Sequence, residues 1–258
     1  MSKPPAAVEK RLKAAVPKFQ KILSDAKKRD INEADTVMII SDMMEEVFGM
    51  DKYSDITREH CIKGTYVDLA IVVDGTLDYL IEVKAIGIEL KDSHVRQAVD
   101  YAAKEGVRWV VLTNGINWQI HRVTVDQKVK HENIFSFSFI DLNVKKQEDL
   151  ELIFLLCKRG LHKDLIQNYY EKKQSVNRYI VGAILGTEGI ASAVRSTMRK
   201  MTPGLKVDND EIMSIIQNEV IKRDLQESES GIQAQKDLKR YLARESRKKT
   251  TPNVATPA

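Results

Sequence analysis

Cysteine is scarce: Cys61 and Cys157 lie far apart and form no CxxC pair. This argues against a disulfide framework and a cysteine zinc site, and leaves two buried thiols as the expectation. Long apolar runs are missing too. None approaches the roughly 20 residues of a membrane span, and the opening MSKPPAAVEKRLKAAV lacks the continuous apolar segment of a signal peptide. A cytoplasmic protein without membrane contact is expected. His60, His94, His121, His131 and His162 show no ligand spacing, and neither HExxH nor GxSxG occurs, so metalloprotease and acyl-transfer chemistry have no support. A net charge of +4 is too small on its own to imply a nucleic-acid partner.

What is present fits a soluble globular protein: at 43% hydrophobic and 30% charged, 258 residues can hold one good-sized core or two small ones. The charge is unevenly spread. Residues 1–30 carry nine Lys or Arg against three acids, and Arg244 to Lys249 forms a second basic cluster. Each alone reads as a solvated face; beside a site that handles phosphodiesters, both read as phosphate contacts.

The informative stretch is Tyr66 to Lys84, YVDLAIVVDGTLDYLIEVK. Two β-branched, apolar runs flank Asp74-Gly75-Thr76, which predicts a β-hairpin. Glu82 and Lys84, two apart, share a face of the returning strand. Asp68 joins them only if the register sets it opposite Glu82 or Lys84 rather than Val83, which a three-residue loop of Asp74, Gly75 and Thr76 would achieve. Two carboxylates side by side favour a cation, and oxygen ligands alone point to Mg²⁺ or Mn²⁺. A lysine beside them could orient or deprotonate a metal-bound water or hold developing negative charge, as phosphodiester hydrolysis requires.

Along the chain, apolar spacing from Val8 to Ala26 predicts a helix kinked or split at Pro17. Asn32 caps a helix from Glu33 to Phe48. Val37, Ile40 and Met44 each fall within about 40° of Glu33 on its wheel, which places Glu33 on the buried stripe, either as a partner of the helix dipole or as a third acid of the site. A helix from Asp92 or Ser93 to Gly106 carries Gln97, Asp100, Tyr101 and Lys104 opposite an apolar face. RWVVLT and WQIHRV form a second hairpin, and NIFSFSFI is a further strand. The helix between the E-x-K strand and RWVVLT makes those two strands parallel. The expected fold class is α/β, a mixed sheet of about five strands flanked by helices, followed by a mostly helical region. The expected organisation is a basic helical segment over 1–30, a core over 31–145, helices over 146–226 and a disordered basic tail over 227–258.

The order of Glu33 on a helix, Asp68, Glu82-Val83-Lys84, and Gln97-x3-Tyr101 on the next helix resembles the PD-(D/E)xK nuclease superfamily. With the LTNG-x2-W hairpin at Leu112 to Trp118, it is similar to the N-terminal nuclease domain of the type I restriction R subunit, HsdR. E-x-K alone is a weak signal; the combination over Glu33 to Val123 is specific. The resemblance implies a restriction-endonuclease-like core in which Asp68 and Glu82 ligate Mg²⁺, Lys84 helps activate water, and Glu33 supports the acidic cluster. Gln97 and Tyr101 would shape the site or contact DNA. Val67 stands where the family often has proline. No G-x4-G-K-[ST] loop occurs, so no ATP site is expected in this chain. The function so implied is Mg²⁺-dependent endonucleolytic cleavage of DNA in restriction or anti-phage defence, with other defence subunits or a second copy as partners. The alternative is a non-cleaving or partner-activated DNA-binding module that keeps the fold. RNA is an open substrate on the residues alone, since such a site does not select the sugar.

Overall fold

Apolar residues three and four apart set the first helix, α1 (Ala6–Arg29), whose Val8, Leu12, Ala15, Val16, Phe19, Leu23 and Ala26 are buried. In the computed structural model, which describes residues 2–62 and 65–249, α1 runs through Pro17 as one helix and is not split in two. Pro17 is exposed, so its ring faces solvent. The roughly 3 kcal/mol it costs a helix interior is outweighed by buried side chains on either side, each contributing about 1.5–3 kcal/mol.

Asn32 caps α2 (Glu33–Glu46), its side chain accepting from Asp35 N–H at 2.9 Å. At the other end Arg11 donates to the carbonyls of Val47 (3.1 Å) and Phe48 (3.3 Å), satisfying groups the helix leaves open.

The sheet runs β1 (Ile56–Ile62), β2 (Thr65–Val73), β3 (Thr76–Val83), β4 (Trp109–Thr113), β5 (Asn117–Val125) and β6 (Val129–Ser138) in sequence order. β1 adds a strand to the roughly five expected. All neighbours are antiparallel except β3 and β4, which are parallel. The crossover between them is α3 (Asp92–Glu105), ended by Gly106 at φ 69°. Leu69, Ile71, Tyr79, Ile81, Val83, Val111, Trp118 and Ile120 share one core with α1 and α2. Ala70, Leu80, Val110, Leu112 and Val123 share another with α3. Helices thus cover both faces of the central strands.

Beyond β6, the helices α4 (Gln147–Phe154) and α5 (Lys158–Leu161) and the start of α6 (Leu165–Ser175) complete the first core. Tyr79 Oη donates to the Leu156 carbonyl at 3.2 Å. The chain divides between Tyr170 and Glu171 into two compact units. The expected boundaries after 30 and 145 do not appear as breaks, because α1 and α4 both bury side chains in the first core.

The second unit holds α7 (Arg178–Leu185), α8 (Glu188–Met201), α9 (Asn209–Ile215), α10 (Asp224–Glu227) and α11 (Glu229–Lys249). Its core cluster is Ala191, Ile212, Ile216 and Ile221. The disordered tail expected from 227 is helical to Lys249: Gly231 and Ala234 are buried along one side of α11, a small-residue stripe that apolar composition alone underrates. Residues 250–258 of that expected tail lie outside the described residues.

Cys157 is a free, buried thiol whose pKa burial pushes up to about 12; the side chain of Cys61 lies outside the described residues. In a Cys61→Ser background, native protein should therefore resist a thiol-specific reagent at pH 8 and react once unfolded in urea. Rapid labelling of the native protein would contradict this burial.

Candidate active site

The turn of the β2–β3 hairpin is Asp74-Gly75, both at positive φ (51° and 79°), with Val73 paired to Thr76. This is a two-residue turn, not the three-residue loop expected. Continued without interruption, that pairing would set Asp68 opposite Ile81. Instead the register shifts between Ile71 and Val72: Val72 pairs with Leu77 and Ile71 with Tyr79, leaving Asp78 as a bulge. Leu69 then pairs with Ile81, a register that, continued by one residue, sets Asp68 beside Glu82. The register that the site required is present, with its extra residue at Asp78.

At this end the two strands part. Lys84 N–H donates to Thr113 O on β4 at 2.8 Å, and Val83 N–H, pointing the other way, donates to Asp68 Oδ2 at 2.7 Å. The Asp68 carboxylate thus stands where a strand carbonyl would. Glu82 is 7% exposed, and Lys84 Nζ donates to its Oε1 at 2.7 Å. Burial raises the Glu82 pKa; the Lys84 hydrogen bond lowers it in part, and the like charges of Asp68 and Glu33 raise it further. For Lys84, burial works against the ammonium, but the hydrogen bond to Glu82 and the charges of Glu82, Glu33 and Asp68 outweigh it and hold its pKa above that of an ordinary lysine. Lys84 is therefore a cation here, suited to orienting or holding negative charge.

Glu33 is brought to the site but not by burial. Its side chain is 49% exposed, with Oε2 3.5 Å from Lys84 Nζ. This corrects the placement on the buried stripe, which Thr36, Ile40, Met43 and Met44 occupy. Gln97 is exposed on α3, whereas Tyr101 is 1% exposed among Val95, Ala98, Val99 and Leu80. The expectation that Tyr101 shares an outward polar face with Gln97 is thus corrected: α3 lies flat on the sheet, and its buried arc is wide enough to take the ring in. His94 is drawn into the start of α3, its Nδ1 accepting from Lys91 N–H at 3.1 Å. Among the described residues no group of three or more His, Cys, Asp or Glu is placed to hold a metal ion.

Two features escaped the sequence. Asp78 is one. The other is Asn114, 3% exposed, whose Nδ2 donates to the carbonyls of Ile86 (3.4 Å) and Ile88 (2.8 Å) and whose Oδ1 accepts from Ile116 N–H (3.1 Å) and Asn117 N–H (2.7 Å). One side chain closes the β4–β5 turn and fixes the segment that follows Lys84. The Asn-Gly pair signals a turn; its grip on a remote loop has no local signature.

Residues 50–137 match the family described as type I restriction enzyme R protein N terminus (HSDR_N). Asp68, Glu82 and Lys84 lie within the matched residues. The match covers about a third of the chain and takes in Asp68, Glu82, Lys84, Gln97, Tyr101 and Asn114, while Glu33 on α2 and the whole second unit lie outside it. No curated protein and no solved structure matches the chain. The match supports a nuclease-like module of the kind found in restriction systems.

On the same sheet face, one row from Gln119, His121 is 3% exposed, and burial first, then the neighbouring His131, lowers its pKa to about 4. Because protonation favours the unfolded chain, this contribution to stability is intact above about pH 6.5 and is lost as pH falls toward 4. Its imidazole resonance should titrate near 4 in NMR spectra; a midpoint near 6.5 would contradict the buried environment. Asn114→Ala should lower stability to urea by about 1–3 kcal/mol, the penalty for stranding buried backbone groups. An unchanged midpoint would show that these bonds do not hold the turn.

Proposed function

We propose that the HsdR N-terminal segment is a Mg²⁺-dependent deoxyribonuclease acting in restriction or anti-phage defence. The observation that supports it most is the meeting of Asp68, Glu82 and Lys84 at one strand end, within a segment matched to that family. The donor set fits the ion: two carboxylates, no nitrogen or sulfur, and a Glu82 pKa already raised in part by Asp68. Mg²⁺ is commonly held by one or two carboxylates and waters rather than by an all-protein cage, so the lack of a third ligand group among the described residues is compatible with it.

In this reading the bound ion supplies Lewis acidity toward the phosphate and a more acidic water. Asp68 and Glu82 hold the ion. The Val83 N–H fixes the orientation of the Asp68 carboxylate. Lys84, once Glu82 turns to the ion, presents its ammonium to a phosphate oxygen or to the attacking water, and Glu33 stands near enough to support it from the exposed side. Gln97 contacts the substrate strand, and Tyr101 acts by packing under α3 rather than by touching DNA.

A second reading is favoured by one observation: Lys84 already occupies Glu82. A resting state closed by that ion pair suits a DNA-binding module that cleaves only when a further restriction subunit or a second copy engages it.

Plasmid nicking and linear-DNA degradation with Mg²⁺ or Mn²⁺ distinguish the readings. Asp68→Ala should abolish cleavage, and Lys84→Ala should lower its rate by about 10²–10⁴. Equal rates in all three proteins, or cleavage in EDTA, would overturn the nuclease reading. A wild type that binds DNA but does not cut it would favour the second.

A further inference from the structure

The two units differ in charge. Residues 171–258 hold sixteen Lys or Arg against eleven Asp or Glu, whereas residues 1–170 hold twenty-five against twenty-six. The positive surplus of the chain therefore belongs to the second unit. Within it, α11 concentrates basic residues on one side. Gly231 and Ala234 are buried and Gln235 and Leu238 half-buried, a stripe that packs against α7 and α10. A Cβ at Gly231 would collide with the Leu225 carbonyl, so this approach is close. On the opposite side Lys236, Arg240 and Arg244 recur every fourth residue, with Lys239 beside them, and all four are exposed. Two acids share this side, Glu229 at the start of the helix and Asp237, which pairs with Arg240 at 3.4 Å.

A row at this spacing is about 12 Å long, and side chains four apart stand about 6 Å from one another. Duplex DNA presents a phosphate every ~1.7 Å of its axis, so such a row can neutralise several at once. A bilayer is a poorer match, because an interfacial helix needs a continuous apolar face to insert, and that side of α11 is already packed within its own unit. We propose that α11 is a phosphate-contacting helix for duplex DNA, with Lys236, Arg240 and Arg244 as its contacts. The proposal rests on the preceding section only for the identity of the polyanion and does not require cleavage.

The test is fluorescence anisotropy of the full chain with a labelled 30-base-pair duplex in EDTA, over a series of NaCl concentrations. The comparison is with K236Q/R240Q/R244Q and, as a control of equal charge loss, K128Q/K130Q/K145Q, all exposed in the first unit; circular dichroism checks that both remain folded. Wild type and control should show a steep fall of affinity with salt. The α11 variant should bind about tenfold or more weakly, with a slope of log K against log salt reduced by about 3. An unchanged slope in the α11 variant, an equal loss in the first-unit control, or binding to phosphatidylserine vesicles but not to DNA would each overturn the proposal. Since no metal is present, loss of cleavage in Asp68→Ala with retained salt-sensitive binding separates this helix from the nuclease reading, and failure of either leaves the other standing.

Discussion

One extra residue in β3 decides what the rest of the site can be. Side chains on a strand alternate between faces, so a shift of one position turns a whole set over. The tight Asp74-Gly75 turn would by itself pair Asp68 with a residue of the α1 and α2 face; the bulge at Asp78 changes the parity and sets it beside Glu82. The same shift keeps Leu69 with Ile81 in one core and Ala70 with Leu80 in the other. Hydrophobic sorting of these pairs and the placement of the carboxylate are therefore one constraint. A carboxylate turned toward the larger core would cost several kcal/mol, which makes the alternative register unfavourable on both counts.

Around that register, backbone groups are matched where the ladder stops. Asp68 receives the Val83 N–H, and β4 receives the N–H of Lys84. Asn114 then holds the chain just beyond. Two side chains, Asp68 and Asn114, and the backbone carbonyl of Thr113 thus fix a short segment of backbone at a strand end.

Much of this was legible in the sequence because it is local or periodic. The β-branched runs gave the hairpin, the E-x-K spacing gave a shared face, and the intervening helix gave the parallel β3–β4 pair. The position of the bulge was not legible, since a three-residue loop and a two-residue turn plus Asp78 give the same pairing at Asp68. Tyr101 was misplaced because a wheel gives its angle but not the width of the arc that the sheet covers. Glu33 failed differently: its helix was read correctly, yet its contact with Lys84 depends on where the first turn of α2 ends relative to β3, a tertiary fact. Pro17 and α11 share a further lesson, that packing can sustain a helix against a locally unfavourable residue or a polar composition.

The Glu82–Lys84 pair has a bearing on assembly as well as chemistry. Burying neighbouring acids without a counterion opposes folding, and many metal sites solve this by folding only when loaded. Here the chain brings its own countercharge on the next outward-facing residue of the same strand. The sheet can close around its carboxylates with this countercharge alone, so under the proposed metal-dependent reading a divalent cation would bear on when the site works and not on whether the domain folds.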